Sequence, residues 1–264
     1  MKIAVTERGD LCFDSTWDQK LRTGFYDGAI LITKNANTEV QNKILSLYQS
    51  GYTHLILHLT CTGWGGTVVE PHVPSYNVQI NNLIHLVQNG FPLNQIVLRI
   101  DPIFPNKTDI LQAKRVLSHP AIQELNRNFP GSLRVRISIL DLYPHVKERF
   151  RSANLSLPMS GFYPTQEELQ SVANLLSEHP AYQYETCAED YLARFIQIRY
   201  PQIQMHIRGC VSAEDLHRMG LPQPTDTHTG FQRKGCHCLS CKTELLSNKH
   251  RCPAGCLYCY WKDR

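Results

Sequence analysis

The sequence predicts an α/β fold, a TIM-type or partial (β/α) barrel with a C-terminal cysteine-rich tail folded over the C-terminal ends of the strands. Three observations predict it. Short apolar, β-branched runs recur along the chain, segments of helical periodicity separate most of them, and the alternation stops near residue 220, before cysteines crowd into residues 236–259.

The expected strands are KIAVTE (2–7), GAILIT (28–33), HLILHLT (54–60), QIVLRI (95–100), LRVRISIL (133–140), YQYET (182–186) and QMHIR (204–208). Val40, Ile44, Leu47 and Tyr48 mark one face of a helix stopped at Gly51, and Ile80, Leu83, Ile84 and Val87 mark another stopped at Gly90. Thr165 with Glu168 forms a capping-box pattern, opening a helix whose face is Leu169, Val172, Leu175 and Leu176. Strands joined by helical crossovers run parallel, and near-continuous apolar runs suit a covered sheet, so a doubly wound open sheet is the rival architecture. In either arrangement ligands bind beside the residues that follow the strands. The chain therefore divides into a barrel core over 1–220 and a tail over 221–264. LPQPTDTHTGFQRKG, rich in proline and glycine, opens that tail as a connector.

A chain of 264 residues with 42% hydrophobic content can bury one sizeable core. Lys and Arg number 27 against 23 Asp and Glu, and the formal charge of +4 is too small to argue by itself for a nucleic-acid partner. There is no stretch of 18 apolar residues, and MKIAVTERGD reads as a strand rather than an export signal, so a cytoplasmic protein with no membrane partner is expected. Ten cysteines in a reducing compartment point to metal rather than to disulfides.

Cys252, Cys256 and Cys259 have the spacing CxxxCxxC, with Tyr258 just before the last cysteine. Three thiolates in one tight loop can ligate three irons of a four-iron, four-sulfur cluster and leave the fourth iron open. That spacing is the signature of radical S-adenosylmethionine enzymes. A structural zinc site completed by His250 or another cysteine, or a tail of free thiols, stays open on spacing alone. Upstream, Cys236 and Cys238 supply two ligands of a second site, for which Cys187 and Cys210, each after a strand, are the candidate partners. Either zinc or a second iron–sulfur cluster would suit that set.

The chain resembles domain of unknown function family 1848, whose C-terminal cysteines look like the cluster motif of radical S-adenosylmethionine enzymes. The resemblance rests on Thr33-Lys34-Asn35, LTCTGWGGTVVEPHVP (59–74), Arg99-Ile100-Asp101-Pro102-Ile103, Ser138-Ile139-Leu140-Asp141-Leu142-Tyr143, Cys187-Ala188-Glu189, Gln232-Arg233 with Cys236-His237-Cys238, and CPAGCLYCYW. The chain departs from the family pattern at Arg8-Gly9-Asp10-Leu11-Cys12 and at Ser240-Cys241-Lys242-Thr243-Glu244. In ordinary radical enzymes the cluster motif follows the first strand, whereas here it follows the last.

The resemblance implies a cluster and S-adenosylmethionine as cofactors. By analogy with the glycine-rich motif of radical enzymes, Gly65, Gly66 and Glu70 are expected at the methionyl amino group. Arg99 is expected at the carboxylate, and Asp101, Ser138 and Asp141 at ribose hydroxyls. The expected function is generation of a 5′-deoxyadenosyl radical that abstracts hydrogen from a small-molecule or nucleotide substrate, with flavodoxin or ferredoxin as electron donor. A nucleic-acid lesion is one substrate option, because Arg8, Lys34, Arg99, Arg208, Arg233 and Lys234 follow strands or flank the cysteines and could rim a phosphate site. The alternative is a binding or electron-transfer protein stabilised by zinc or an iron–sulfur cluster, without catalysis.

Overall fold

A computed structural model describes residues 1–223, 235–246 and 252–262. Eight parallel strands form one sheet in the order β7-β6-β5-β4-β3-β2-β1-β8. They are β1 (Ile3–Val5), β2 (Gly28–Thr33), β3 (Leu55–Thr60), β4 (Ile96–Ile103), β5 (Arg134–Ile139), β6 (Gln183–Thr186), β7 (Met205–Ile207) and β8 (Lys242–Glu244). The seven expected strands are all present. Their order runs without a reversal, which removes the doubly wound alternative, since that topology needs a switch point.

A closed TIM-type barrel does not form: the sheet is open, and no ladder joins β7 to β8 among the described residues. β7 is three residues long, and the segment 236–241 approaches its end irregularly, with one backbone bond from Leu239 N to Val211 O (2.9 Å). The expected tail is also more than an appendage. Its residues 242–244 supply β8, which pairs in parallel with β1 through Ile3 opposite Lys242 and Val5 opposite Glu244.

Nine α-helices occur among the described residues: α1 (Trp17–Thr23), α2 (Thr38–Gln49), α3 (Tyr76–Gln88), α4 (Ile110–Leu117), α5 (Pro120–Asn128), α6 (Pro144–Ser152), α7 (Gln166–Ser177), α8 (Asp190–Arg199) and α9 (Ala213–Arg218). The expected stops of α2 and α3 hold because Gly51 and Gly90 both take φ of +93°, open to glycine at little steric cost. Both halves of the Thr165–Glu168 capping box are made.

Successive strand residues face opposite sides of the sheet. Ala4, Leu31, Leu57, Leu98, Val135 and Tyr184 point to one side and form the main core with the helices. On the other side Ile3, Val5, Ile30, Ile32, Ile56 and Val97 form a smaller core with Val211, Leu216 and Met219 around α9. Arg218 at the end of α9 donates to the carbonyls of Asn94, Gly131 and Ser132, so α9 covers the N-terminal edge of that side. The C-terminal edge is left for a site.

Candidate metal centre

A cavity of about 390 Å³ opens at the C-terminal edge of the strands. Its wall takes Asp10 from beyond β1, Lys34 from beyond β2, Arg99 and Asp101 from β4, Ser138 and Asp141 from the end of β5, Cys187 from beyond β6 and Cys210 from beyond β7. The tail completes it with Cys236, Cys238, Cys252, Cys256 and Cys259. All seven cysteines expected as ligands therefore face one space, brought together from four stretches of chain.

Local contacts explain how the CxxxCxxC loop is seated. Tyr258 is buried and donates its hydroxyl to Glu70, while Lys34 Nζ reaches both Glu70 Oε1 (3.0 Å) and the Tyr258 hydroxyl (2.5 Å). Thr62 holds the other Glu70 oxygen at 2.9 Å. Leu257 N donates to Val69 O (3.0 Å), and Gly255, at φ +68°, packs where a Cβ would come within 3.2 Å of Pro71. On the opposite flank Arg149 of α6 donates to the carbonyls of Cys259, Trp261 and Lys262. The tail is thus docked by polar contacts on both sides.

Burial raises the Cys256 thiol to about 12, although the nearby Lys34 cation works against it. Cys252 is also raised by burial and likewise feels Lys34 in the lowering direction. Lys34 is thus a positive charge that acts on both thiols. The sulfurs of Cys252, Cys256 and Cys259 do not form a group within 4.8 Å of one another, in contrast to Cys187, Cys236 and Cys238, which do. The cysteine groups could hold metal.

The cofactor-binding expectations divide. Arg99, Asp101, Ser138 and Asp141 line the cavity, whereas Gly65, Gly66 and Glu70 do not. A Cβ on Gly65 would stand 1.8 Å from Pro74 O, so that glycine serves the packing of its own loop. Glu70 has both oxygens engaged by Lys34, Tyr258 and Thr62, which makes it a clamp behind the cysteine loop rather than a partner for an amino group. Asp101 is paired to Arg99 and accepts from Ser138. Burial would raise its carboxyl, but Arg99 and Ser138 outweigh that and hold it at about 2.

Three of the six residues of the expected basic rim are ion-paired inside the protein. Lys34 pairs with Glu70, Arg99 with Asp101, and Arg208 with Glu185 (2.7 Å) and Glu214 (3.4 Å). Arg233 and Lys234 lie outside the described residues, as do Gln232 and His250.

A charge layer that sequence reasoning passed over underlies the cavity. The strand register sets Arg99, Arg136, Glu185 and His206 in one row across β4 to β7. Arg134 bridges Glu185 (3.3 Å) and Asp215 of α9 (2.7 Å), and Arg136 joins Glu185 at 2.7 Å, all four side chains being buried. The signal was present in the run RVRIS, where charged and apolar residues alternate with the period of a strand. Each arginine there needed a buried acidic partner.

The fold and site define an open, all-parallel α/β protein with a cysteine-lined cavity at the strand C-terminal edge. The sequence model described as domain of unknown function (DUF1848) matches residues 13–261, and the chain belongs to that family. No curated protein matches it. Among the described residues no helix is long and apolar enough to cross a membrane.

Proposed function

We propose that this protein is an iron–sulfur enzyme of the radical S-adenosylmethionine type, with its cluster on Cys252, Cys256 and Cys259. The observation that carries the reading is that these three cysteines share one cavity with Asp101, Ser138 and Asp141. Its volume of about 390 Å³ falls within the range of roughly 300–1,000 Å³ usual for cofactor and ligand sites. The donor set suits a cluster: three thiols whose sulfurs are not gathered tightly around one point leave room for each to bind its own iron. When bound, such a cluster supplies the electron that cleaves S-adenosylmethionine to methionine and a hydrogen-abstracting 5′-deoxyadenosyl radical.

The chain's own residues then have limited tasks. Lys34 sets a partly buried cation beside Cys252 and Cys256, and Tyr258 with Glu70 fixes the loop that carries them. Arg99, Asp101 and Ser138 form a mutually bonded wall able to orient hydroxyl or carboxylate groups. The substrate is a small molecule or nucleotide, and the electron comes from a flavodoxin- or ferredoxin-like donor.

Protein purified without oxygen should be brown and contain iron and acid-labile sulfide. Added S-adenosylmethionine should alter the paramagnetic resonance spectrum of the reduced protein, and strong reductant should release 5′-deoxyadenosine. Iron-free protein after anaerobic reconstitution would overturn the proposal.

A further inference from the structure

The open seam of the sheet carries its own group of sulfurs. Cys187 follows β6 and Cys210 follows β7, while Cys236 and Cys238 precede β8. The ligand atoms of Cys187, Cys236 and Cys238 all lie within 4.8 Å of one another, and Cys210 is equally close to Cys238. The Cys187 thiol lies close enough to those of Cys210, Cys236 and Cys238 to interact with all three. We propose that Cys187, Cys210, Cys236 and Cys238 hold a single tetrahedral zinc ion that staples the ends of β6 and β7 to the segment entering β8.

Spacing selects a single ion. Zinc–thiolate bonds of about 2.3 Å in a tetrahedron put ligand sulfurs about 3.8 Å apart, inside the 4.8 Å limit that Cys187, Cys236 and Cys238 satisfy together and Cys210 satisfies with Cys238. In an iron–sulfur cluster the cysteines are divided over two or more irons, which spreads the set of sulfurs more widely. Glu7 is also within 4.8 Å of Cys210 and Cys238, but Lys242 already holds its carboxylate at 2.8 Å, so sulfur is the better fourth donor.

The surroundings suit such an ion. Four thiolates around a divalent ion leave two negative charges, and the positive groups acting on the sulfurs are Arg99 and Arg136 at Cys210 and Lys242 at Cys238. The Cys210 amide donates to Cys238 Sγ at 3.1 Å, the kind of outer contact that orients a metal-bound thiolate. His237 Nε2, between the two tail cysteines, is fixed by Asp190 of α8 at 2.8 Å.

The backbone is also shaped for this approach. A Cβ on Gly209 would meet His237 O at 2.4 Å and the Cys238 backbone at 2.6 Å, so the two segments touch only because residue 209 is glycine. Ala188, directly after Cys187, sits at φ +61°, a left-handed conformation that costs a non-glycine residue energy. Such contacts hold the four thiols together where the ladder between β7 and β8 is missing.

The inference does not rest on the cluster reading, and its test removes that cluster first. Full-length protein carrying Cys252→Ser, Cys256→Ser and Cys259→Ser should retain one equivalent of zinc and no acid-labile sulfide. Its cobalt-substituted form should show the charge-transfer and ligand-field bands of a tetrahedral tetrathiolate. Adding Cys238→Ser should lower zinc content at least tenfold, whereas adding Cys241→Ser, a thiol outside the group, should leave it unchanged. If the multiple variants fail to fold, the zinc-edge absorption spectrum of wild-type protein decides, with four sulfurs at about 2.3 Å expected. Folded triple variant without metal, iron with sulfide in its place, or a wild-type spectrum lacking four sulfurs would overturn the proposal.

Discussion

The hydroxyl of Tyr258, one residue before the last cysteine of CPAGCLYC, donates to the carboxylate of Glu70, 188 residues earlier. Lys34 binds both groups, so three distant segments converge on one ion-paired clamp beneath the cysteine loop. Glu70 is 1% exposed. Its replacement by Gln would leave Lys34 as a partly buried cation without its main counter-charge, at a cost of up to about 3–5 kcal/mol. Tyr258→Phe keeps the ion pair and removes one hydrogen bond, for about 1–2 kcal/mol. Urea unfolding of the two variants should rank them in that order, and equal losses would mean that the clamp is not organised around Glu70.

Acid should weaken the fold in two stages. Burial drives the His58 imidazole down to about 3, so the folded protein keeps it neutral where an unfolded chain protonates it. Burial would raise Glu185, but Arg136 and Arg134 hold it at about 2, and Asp215 is held lower still, chiefly by Arg134. In each case the unfolded chain binds more protons, so stability is full above about pH 6.5. It falls first through His58, at up to about 1.4 kcal/mol per pH unit. Below about pH 4 the two carboxylates add to the loss, which continues toward pH 2. Urea midpoints measured from pH 7 to 4.5 should slope downward, and His58→Leu should flatten that slope. An unchanged slope would place the titrating group elsewhere.

The seven expected strands are legible because parallel strands buried on both faces are largely apolar along their length, as LILHLT is at residues 55–60 apart from His58 and Thr60. β8 is not legible: KTE is short, polar and half-buried, and becomes a strand only because β1 offers it a ladder. Spacing alone singles out Cys252, Cys256 and Cys259, since consecutive ligands in one loop leave a local pattern. The Lys34–Glu70–Tyr258 clamp leaves none, because its members meet only in the folded chain. The glycines of residues 63–66 are ambiguous for a related reason. The same freedom that lets backbone approach a ligand lets Gly65 pack against Pro74, and the sequence does not distinguish the two.

Gly209→Ala should disturb the second cysteine group without touching a ligand. The added methyl would overlap the His237 carbonyl and the Cys238 backbone, neither of which can swing aside as a side chain could. Overpacking of this kind costs roughly 1–3 kcal/mol. Thermal denaturation should show the loss, and metal analysis should show weaker retention at Cys187, Cys210, Cys236 and Cys238. Wild-type metal content in a destabilised variant would separate the glycine's packing role from the geometry of the thiols.

Arg149 should decide whether residues 259–262 stay docked in the absence of any metal. Its guanidinium reaches three tail carbonyls from α6, and His145 Nε2 adds a contact to Tyr260 O at 3.0 Å on the same flank. The main core does not include the Arg149 head group, so Arg149→Ala should leave the sheet and helices intact. The lost contacts are hydrogen bonds from a charged donor, each worth about 1.5–3 kcal/mol in favourable settings and less where solvent reaches them. The loss should therefore appear as local opening rather than global unfolding. Hydrogen exchange of metal-free protein should accelerate at residues 256–262 and stay unchanged in β3 and β4, whose strands are buried on both faces. Arg149→Lys, which keeps the charge but offers one donor centre instead of a fork, should fall between wild type and Ala. Uniform acceleration across the sheet would show instead that the tail and the core open together.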